Sequence, residues 1–182
     1  RPAGSGQRSS AGRRRARRPH LNKTSSSLTL MDQTTALQKA LVHHQAGRLR
    51  NARTGYESVL KRNPDDSDAL HLLGVLENLT GDRQAAVRNI SRAIELQPNF
   101  PEAYNSLGNV HKVCENWPAA ETAYHFATKL KPDFAGAYLN LGVVARQRGD
   151  LDGALSACEK AIAIDPTFAP AHFNRGNALR EM

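Results

Sequence analysis

Residues 101–134, PEAYNSLGNVHKVCENWPAAETAYHFATKLKPDF, run directly into residues 135–168, AGAYLNLGVVARQRGDLDGALSACEKAIAIDPTF. Laid over one another, they agree at Ala103/Ala137, Tyr104/Tyr138, Leu107/Leu141, Gly108/Gly142, Ala120/Ala154, Ala127/Ala161, Pro132/Pro166 and Phe134/Phe168. The same 34-residue offset extends both ways without gaps. Pro64 and Pro98 join the prolines. Gly74 and Gly176 join the glycines, with Ala40 at the head of that column. Ala52 and Ala86, and Ala69 and Ala171, join two of the alanine columns, and Ala93 a third. Average glycine usage is about 7%, so four glycines in register mark a true repeat, and a period of this length marks a stacked array.

Each period resolves into two helices. In residues 135–168, Tyr138, Leu141, Val144 and Ala145 recur at helical spacing. Gly149-Asp150 breaks the pattern, as Gly81-Asp82 does earlier, because Gly can close one helix and Asp can cap the next. A second helix carries Leu151, Ala154, Leu155, Cys158, Ala161 and Ile162, and stops near Asp165-Pro166. The pattern predicts helices over 34–46, 49–62, 68–80, 83–96, 102–114, 117–130, 136–148, 151–164 and 170–182. The fold class is therefore all-α, a solenoid of antiparallel helix pairs. It has four full repeats, 33–66, 67–100, 101–134 and 135–168, and a partial one, 169–182. Gly74, Gly108 and Gly142 fall inside first helices, where Gly costs about 1 kcal/mol relative to Ala. Close approach of the second helix at Ala86, Ala120 and Ala154 is the expected compensation.

Composition bounds the rest. The chain has 182 residues, 40% of them apolar and 5% aromatic. No apolar stretch approaches the roughly 20 residues a membrane-spanning helix needs. Cys114 and Cys158 form no CxxC pair, which leaves a disulfide framework or structural zinc unsupported. The net charge of +8 is local. Residues 1–30 hold Arg1, Arg8, Arg13, Arg14, Arg15, Arg17, Arg18 and Lys23 with no acid, leaving 17 basic against 17 acidic side chains beyond them. Residues 1–32 read as a disordered Arg/Ser-rich tail. Its Arg13–Arg18 run fits a nuclear-localisation or nucleic-acid arm, and its composition also fits an organelle transit peptide. A third reading takes Met31 as the native start, since the chain opens with Arg1. Nucleic acid is a partner only through this tail. The missing apolar core of a secretory signal points to a cytoplasmic protein. Met182, inside a helical pattern, reads as an interruption of a longer array.

The motif Tyr104-x-x-Leu107-Gly108, Ala120, Tyr124, Ala127, Pro132, repeated as Tyr138-x-x-Leu141-Gly142, Ala154, Cys158, Ala161, Pro166, resembles the tetratricopeptide repeat family over residues 33–182. Ala36, Lys39 and His43 depart from it in the first repeat, as a terminal capping unit would. Glu115-Asn116 departs at the third turn, where Asn116 is expected to take the left-handed place of Gly. The resemblance implies a right-handed solenoid with a concave face, lined by first helices, that holds peptide segments. The implied groove residues are Asn105, Ser106, Asn109 and Lys112; Asn140, Arg146 and Gln147; Asn174, Asn177 and Arg180; and His71 and Asn78. Asn is a poor helix residue, so its recurrence there suits amides that pair with a peptide backbone. On this reading the Asn side chains are solvated and contribute little to folding. Lys112 and Arg146, at equivalent positions, suit an acidic group or a chain-terminal carboxylate. The carboxylate-clamp positions of chaperone-tail binders hold Leu37, Leu41, Val75, Leu139 and Val143, which disfavours that role.

No nucleotide loop, nucleophile elbow, HExxH or dinucleotide turn occurs. Seven His are scattered; His43-His44 and His71 lack partners spaced for a metal. The expectation is no catalytic residue, no metal site and no cofactor, with Cys158 a buried inert thiol. The function expected is a non-catalytic scaffold for a protein or peptide ligand. The alternative rests on resemblance alone. Residues 101–112 and 131–166 are similar to the arms of O-linked N-acetylglucosamine transferases and their bacterial relatives. Residues 68–76 are similar to bacterial arms fused to glycosyltransferase or sulfotransferase domains. That resemblance implies a substrate-recognition arm with its catalytic domain beyond Met182.

Overall fold

The computed structural model describes the backbone of residues 23–182 and the side chains of residues 34–182. Among the described residues, nine α-helices and no strands follow one another. They are α1 (Lys23–Gln45), α2 (Leu49–Arg62), α3 (Ser67–Thr80), α4 (Arg83–Leu96), α5 (Pro101–Val113), α6 (Trp117–Leu130), α7 (Ala135–Gln147), α8 (Leu151–Ile164) and α9 (Ala169–Glu181). The second helices begin and end where the periodicity places them. α1 begins at Lys23 rather than 34, because no Gly or Pro interrupts the chain between Lys23 and Ala46. Residues 1–22 lie outside the described residues, and most of the tail reading with them.

Each first helix packs on its own second helix (α1 on α2, α3 on α4, α5 on α6, α7 on α8), and each second helix packs on the next first helix. First helices also meet across repeats, α1 with α3, α3 with α5, α5 with α7 and α7 with α9. Among the described residues, second helices have no such contacts with one another. The array therefore curves with first helices on its inner face, a right-handed α-solenoid.

The sequence columns are the core. Ala52, Ala86, Ala120, Ala154, Ala69, Ala103, Ala137 and Ala171 are all fully buried, as are Tyr56, Ile90, Tyr124 and Cys158. A Cβ at Gly108 would stand 2.5 Å from the Tyr124 ring. One at Gly74 would stand 2.6 Å from Ile90 Cγ1 and 3.1 Å from the Ala86 carbonyl oxygen. At Gly142 it would meet Cys158 Sγ at 3.0 Å and the Ala154 carbonyl oxygen at 3.1 Å. The first repeat reverses the arrangement: Ala40 fills the Gly column, and Gly55 on the facing helix makes room, since a Cβ there would lie 2.5 Å from Ala40 Cβ. Cys158 is buried, and desolvation raises its pKa; Cys114 is exposed.

The turns show the same economy. Asp82, Asn116 and Asp150 accept from the backbone N–H groups of Ala85, Ala119 and Gly153, capping α4, α6 and α8. The residue before each cap has positive φ: Gly81 at +93°, Gly149 at +81° and Glu115 at +57°. The expectation that Asn116 takes the left-handed place is thus corrected. Asn116 has φ −82° and serves as the cap, and the turn forces Glu115 into the left-handed region.

Two stability outcomes follow. Gly108→Leu should lower stability by about 1–3 kcal/mol through overpacking against Tyr124. Gly176→Leu should cost far less, since a Cβ at Gly176 meets nothing within 4 Å. Equal melting temperatures for the two variants would show the crossing to be misplaced. Glu115→Gly should raise stability by roughly 0.5–1 kcal/mol, the left-handed strain relieved less the added chain entropy of Gly. A denaturant midpoint that does not rise would show that Glu115 bears no strain.

Candidate functional site

The inner face is built from the first helices, and its side chains are joined by a simple rule. His71 Nε2 lies 2.9 Å from Ser106 Oγ, Asn140 Nδ2 donates to Asn105 Oδ1 at 3.1 Å, and Arg146 Nη1 donates to Glu181 Oε1 at 2.9 Å. Each pair is separated by 35 residues. The period is 34, so a side chain on one first helix reaches the position one residue further along the next. Asn140 is extended by Lys112, whose Nζ donates to Asn140 Oδ1 at 2.7 Å. Lys112, Asn140 and Asn105 thus form one chain of hydrogen bonds between α5 and α7.

The sequence-predicted groove residues fall into separate groups, and Asn78 has its Oδ1 buried without a partner. Asn105, Asn140 and Lys112 come together as described. Asn109 is engaged below the groove: its Oδ1 accepts from the Tyr124 hydroxyl at 2.8 Å. Tyr124 is fully buried, and desolvation raises its pKa, so Asn109 satisfies a phenol that would otherwise be orphaned. The expectation of a freely solvated Asn109 and Asn140 gives way to networked side chains. Asn174, Asn177 and Arg180 all lie on α9 and bond within it. Asn174 Nδ2 donates to the Pro170 carbonyl at 2.9 Å, and Arg180 Nη2 to Asn177 Oδ1 at 3.2 Å. Arg146 pairs with Glu181 at 2.9 Å, and its Nε is buried without a partner. Gln147 is exposed.

Sequence reasoning did not find Tyr124 as the anchor of Asn109, Glu181 as the partner of Arg146, or the His71–Ser106 pair. An offset-35 comparison of the first helices reveals the last two. Tyr124 left no such signal, because its column was already explained by packing.

Charge follows burial. Lys112 has its pKa lowered by desolvation. Among the described residues no carboxylate lies within ion-pair distance of it. His71 packs edge-on to Phe100, ring centroids 4.8 Å apart, and desolvation lowers its pKa to about 4, against a smaller upward pull from Glu102. His43 Nδ1 accepts from Arg48 Nε at 2.9 Å, and His44 Nδ1 lies 3.0 Å from the Tyr56 hydroxyl. The histidines thus bond separately to nearby side chains, and among the described residues no cluster of three His, Cys, Asp or Glu could hold a metal ion. No described helix is long and apolar enough to cross a membrane.

His71 sets a pH dependence. Its folded pKa, about 4, lies below the unfolded value of 6.5, so the unfolded chain binds the extra proton between those values. Stability from keeping His71 neutral is present above pH 6.5 and lost as pH falls toward 4, by of order 2–3 kcal/mol. His71→Gln should remove that proton's share of the slope. Superimposable stability curves for the two proteins from pH 7 to 4 would contradict this.

A tetratricopeptide repeat family model matches residues 37–87 and 115–167, and a second of the same description matches 157–182. Among solved structures, one crystal structure of MamA is 30% identical, with TM-score 0.70, covering 78% of this chain and 82% of that one. Another crystal structure of the MamA protein is 29% identical, with TM-score 0.71 and coverages of 82% and 81%. Pseudomonas aeruginosa pilF shares the fold at 18% identity, with TM-score 0.77 and coverages of 82% and 68%. A search among curated proteins returned no match.

Proposed function

The chain belongs to the tetratricopeptide repeat family, and from that premise we propose that it is a non-catalytic interaction scaffold holding a peptide segment against its inner face. The observation that carries the reading is the Lys112–Asn140–Asn105 chain of hydrogen bonds. It links two repeats through partly exposed polar side chains that no core position requires. Side chains fixed by their neighbours lose little freedom when a ligand arrives, which lowers the entropic cost of binding. The adjoining pair His71–Ser106 continues the polar surface toward the second repeat. The transferase-arm reading rests on the resemblance of the repeats alone, and no structural observation favours it over the scaffold.

The test separates binding from folding. Peptides are selected from a random twelve-residue library against the full chain, and their affinities are measured for two variants. Asn105→Ala should weaken binding by about 0.5–1.5 kcal/mol per hydrogen bond lost and barely move the melting temperature. Asn109→Ala should instead lower stability by about 1–3 kcal/mol, because it strands the Tyr124 hydroxyl. Selected peptides that bind the Asn105 variant as tightly as the wild type would place the ligand elsewhere.

A further inference from the structure

We infer that the outer face, where the second helices lie, carries a docking site of its own. It is a slot between α6 and α8, above Tyr138, and it takes an aromatic side chain flanked by an acid on a partner polypeptide. The inference does not depend on the inner groove.

The slot exists because successive second helices do not touch. α6 and α8 each pack on α7, and among the described residues they make no contact with one another. A cavity of about 280 Å³ opens between them. Its floor comes from Tyr138, Leu141 and Ala145 of α7, and its walls from α6 and α8. Pockets that enclose whole small molecules begin at roughly 300 Å³. The slot falls below that size and suits a single side chain.

The chain itself shows what such a slot holds. One repeat earlier, Tyr104 stands where Tyr138 does, and Phe126 of α6 stacks on it, with ring centroids 5.3 Å apart and planes 23° apart. Rings stacked in this way attract beyond the area they bury. At the equivalent place in the fourth repeat stands Lys160. Its Nζ lies 5.8 Å from the Tyr138 ring centroid. A flexible stem with a hydrated head does not fill the space of a ring. The wall changes in step: Val87 and Ile94 of α4 correspond to Glu121 and Thr128 of α6. The fourth repeat thus keeps the aromatic platform without the ring that lies on it in the third.

Charge specifies the flank. Two carboxylates line the slot, and both are committed: Glu121 pairs with Arg148, and Asp150 accepts from the Gly153 N–H to cap α8. Lys160 lines the slot without an ion-pair partner among the described residues. An acid beside the incoming ring meets Lys160 through a charge-assisted hydrogen bond as the stem swings off the platform. Exposed ion pairs contribute little, so the ring provides most of the affinity and the acid its orientation. His125 and Ser156, on opposite walls, offer hydrogen bonds to the segment that carries the ring.

The experiment fills the slot from within. Lys160→Phe places on Tyr138 the ring that Phe126 places on Tyr104, so the fold already accommodates the pair one repeat earlier. Random twelve-residue peptides are selected against the full chain, with removal of those that also bind Lys160→Phe. The expected pool carries Phe, Tyr or Trp beside Asp or Glu. Its affinity should fall about tenfold or more on Lys160→Phe and on Tyr138→Leu, which copies Leu70 of the second repeat. Lys160→Gln should weaken it about threefold at low salt and less at high salt. Asn105→Ala should leave it unchanged. Thermal melts of Lys160→Phe should match the wild type; if they fall, Tyr138→Leu alone decides. An empty pool, a pool without aromatic residues, or aromatic peptides indifferent to Tyr138→Leu would overturn the site. Aromatic peptides weakened by Asn105→Ala would place the ring on the inner face and overturn it equally. Peptides that still bind Lys160→Phe report on the inner groove, so the two readings fail separately.

Discussion

The close crossing of first and second helices is the constraint from which the rest of the molecule follows. At Gly74, Gly108 and Gly142 the absent Cβ leaves room for Ile90, Tyr124 and Cys158, each fully buried. Glycine inside a helix is unfavourable, and burying a large side chain against its backbone offsets the penalty. The first repeat reaches the same separation with Ala40 and Gly55 exchanged across the crossing. What is held constant is the space between the backbones, and either helix can supply it.

That crossing also shapes the inner face. Tyr124 sits so close to Gly108 that its hydroxyl emerges beside Asn109, the next residue, and takes that amide oxygen. Packing in the third repeat thus decides the polarity of the groove above it. The contacts between first helices do the rest, setting side chains of successive repeats against one another with a one-residue advance. A repeat protein has no contacts between distant repeats, so its binding surface is assembled from these neighbour-to-neighbour links.

Electrostatics follow the same local logic. Glu77, nearly fully buried, accepts from Asn89 at 2.8 Å and lies 3.6 Å from Arg53 of the preceding repeat. Lys131 and Glu102 pair at 3.0 Å at the partly exposed end of the third repeat. Pairs this exposed contribute little. Lys112 differs from them: its Nζ donates to the neutral Asn140 amide and lies 6.0 Å from the Tyr124 ring centroid, with no carboxylate within ion-pair distance among the described residues.

The helix pairs, their boundaries and the buried columns were legible in the sequence, because a 34-residue period repeats the same packing problem and its solutions fall into register. Ala120, Tyr124 and Gly108 could be placed in the core from spacing alone. The start of α1 was not legible, since apolar periodicity fades toward Lys23 while the helix continues for want of a breaker. The left-handed turn residue was misassigned for a related reason. Composition favours Asn over Glu at positive φ, but the cap must follow the turn, and Asn116 is better used as the cap. The groove was legible only as a set of positions. Its sequence named Asn105, Asn109, Lys112, Asn140 and Arg146, yet not which of their atoms are already bonded. Hydrogen bonding depends on distance and direction between side chains on different helices, and those are fixed only when neighbouring repeats stack. The sequence alone determined the array and its core; the tertiary structure decided which of these side-chain atoms are already hydrogen-bonded to a neighbouring helix.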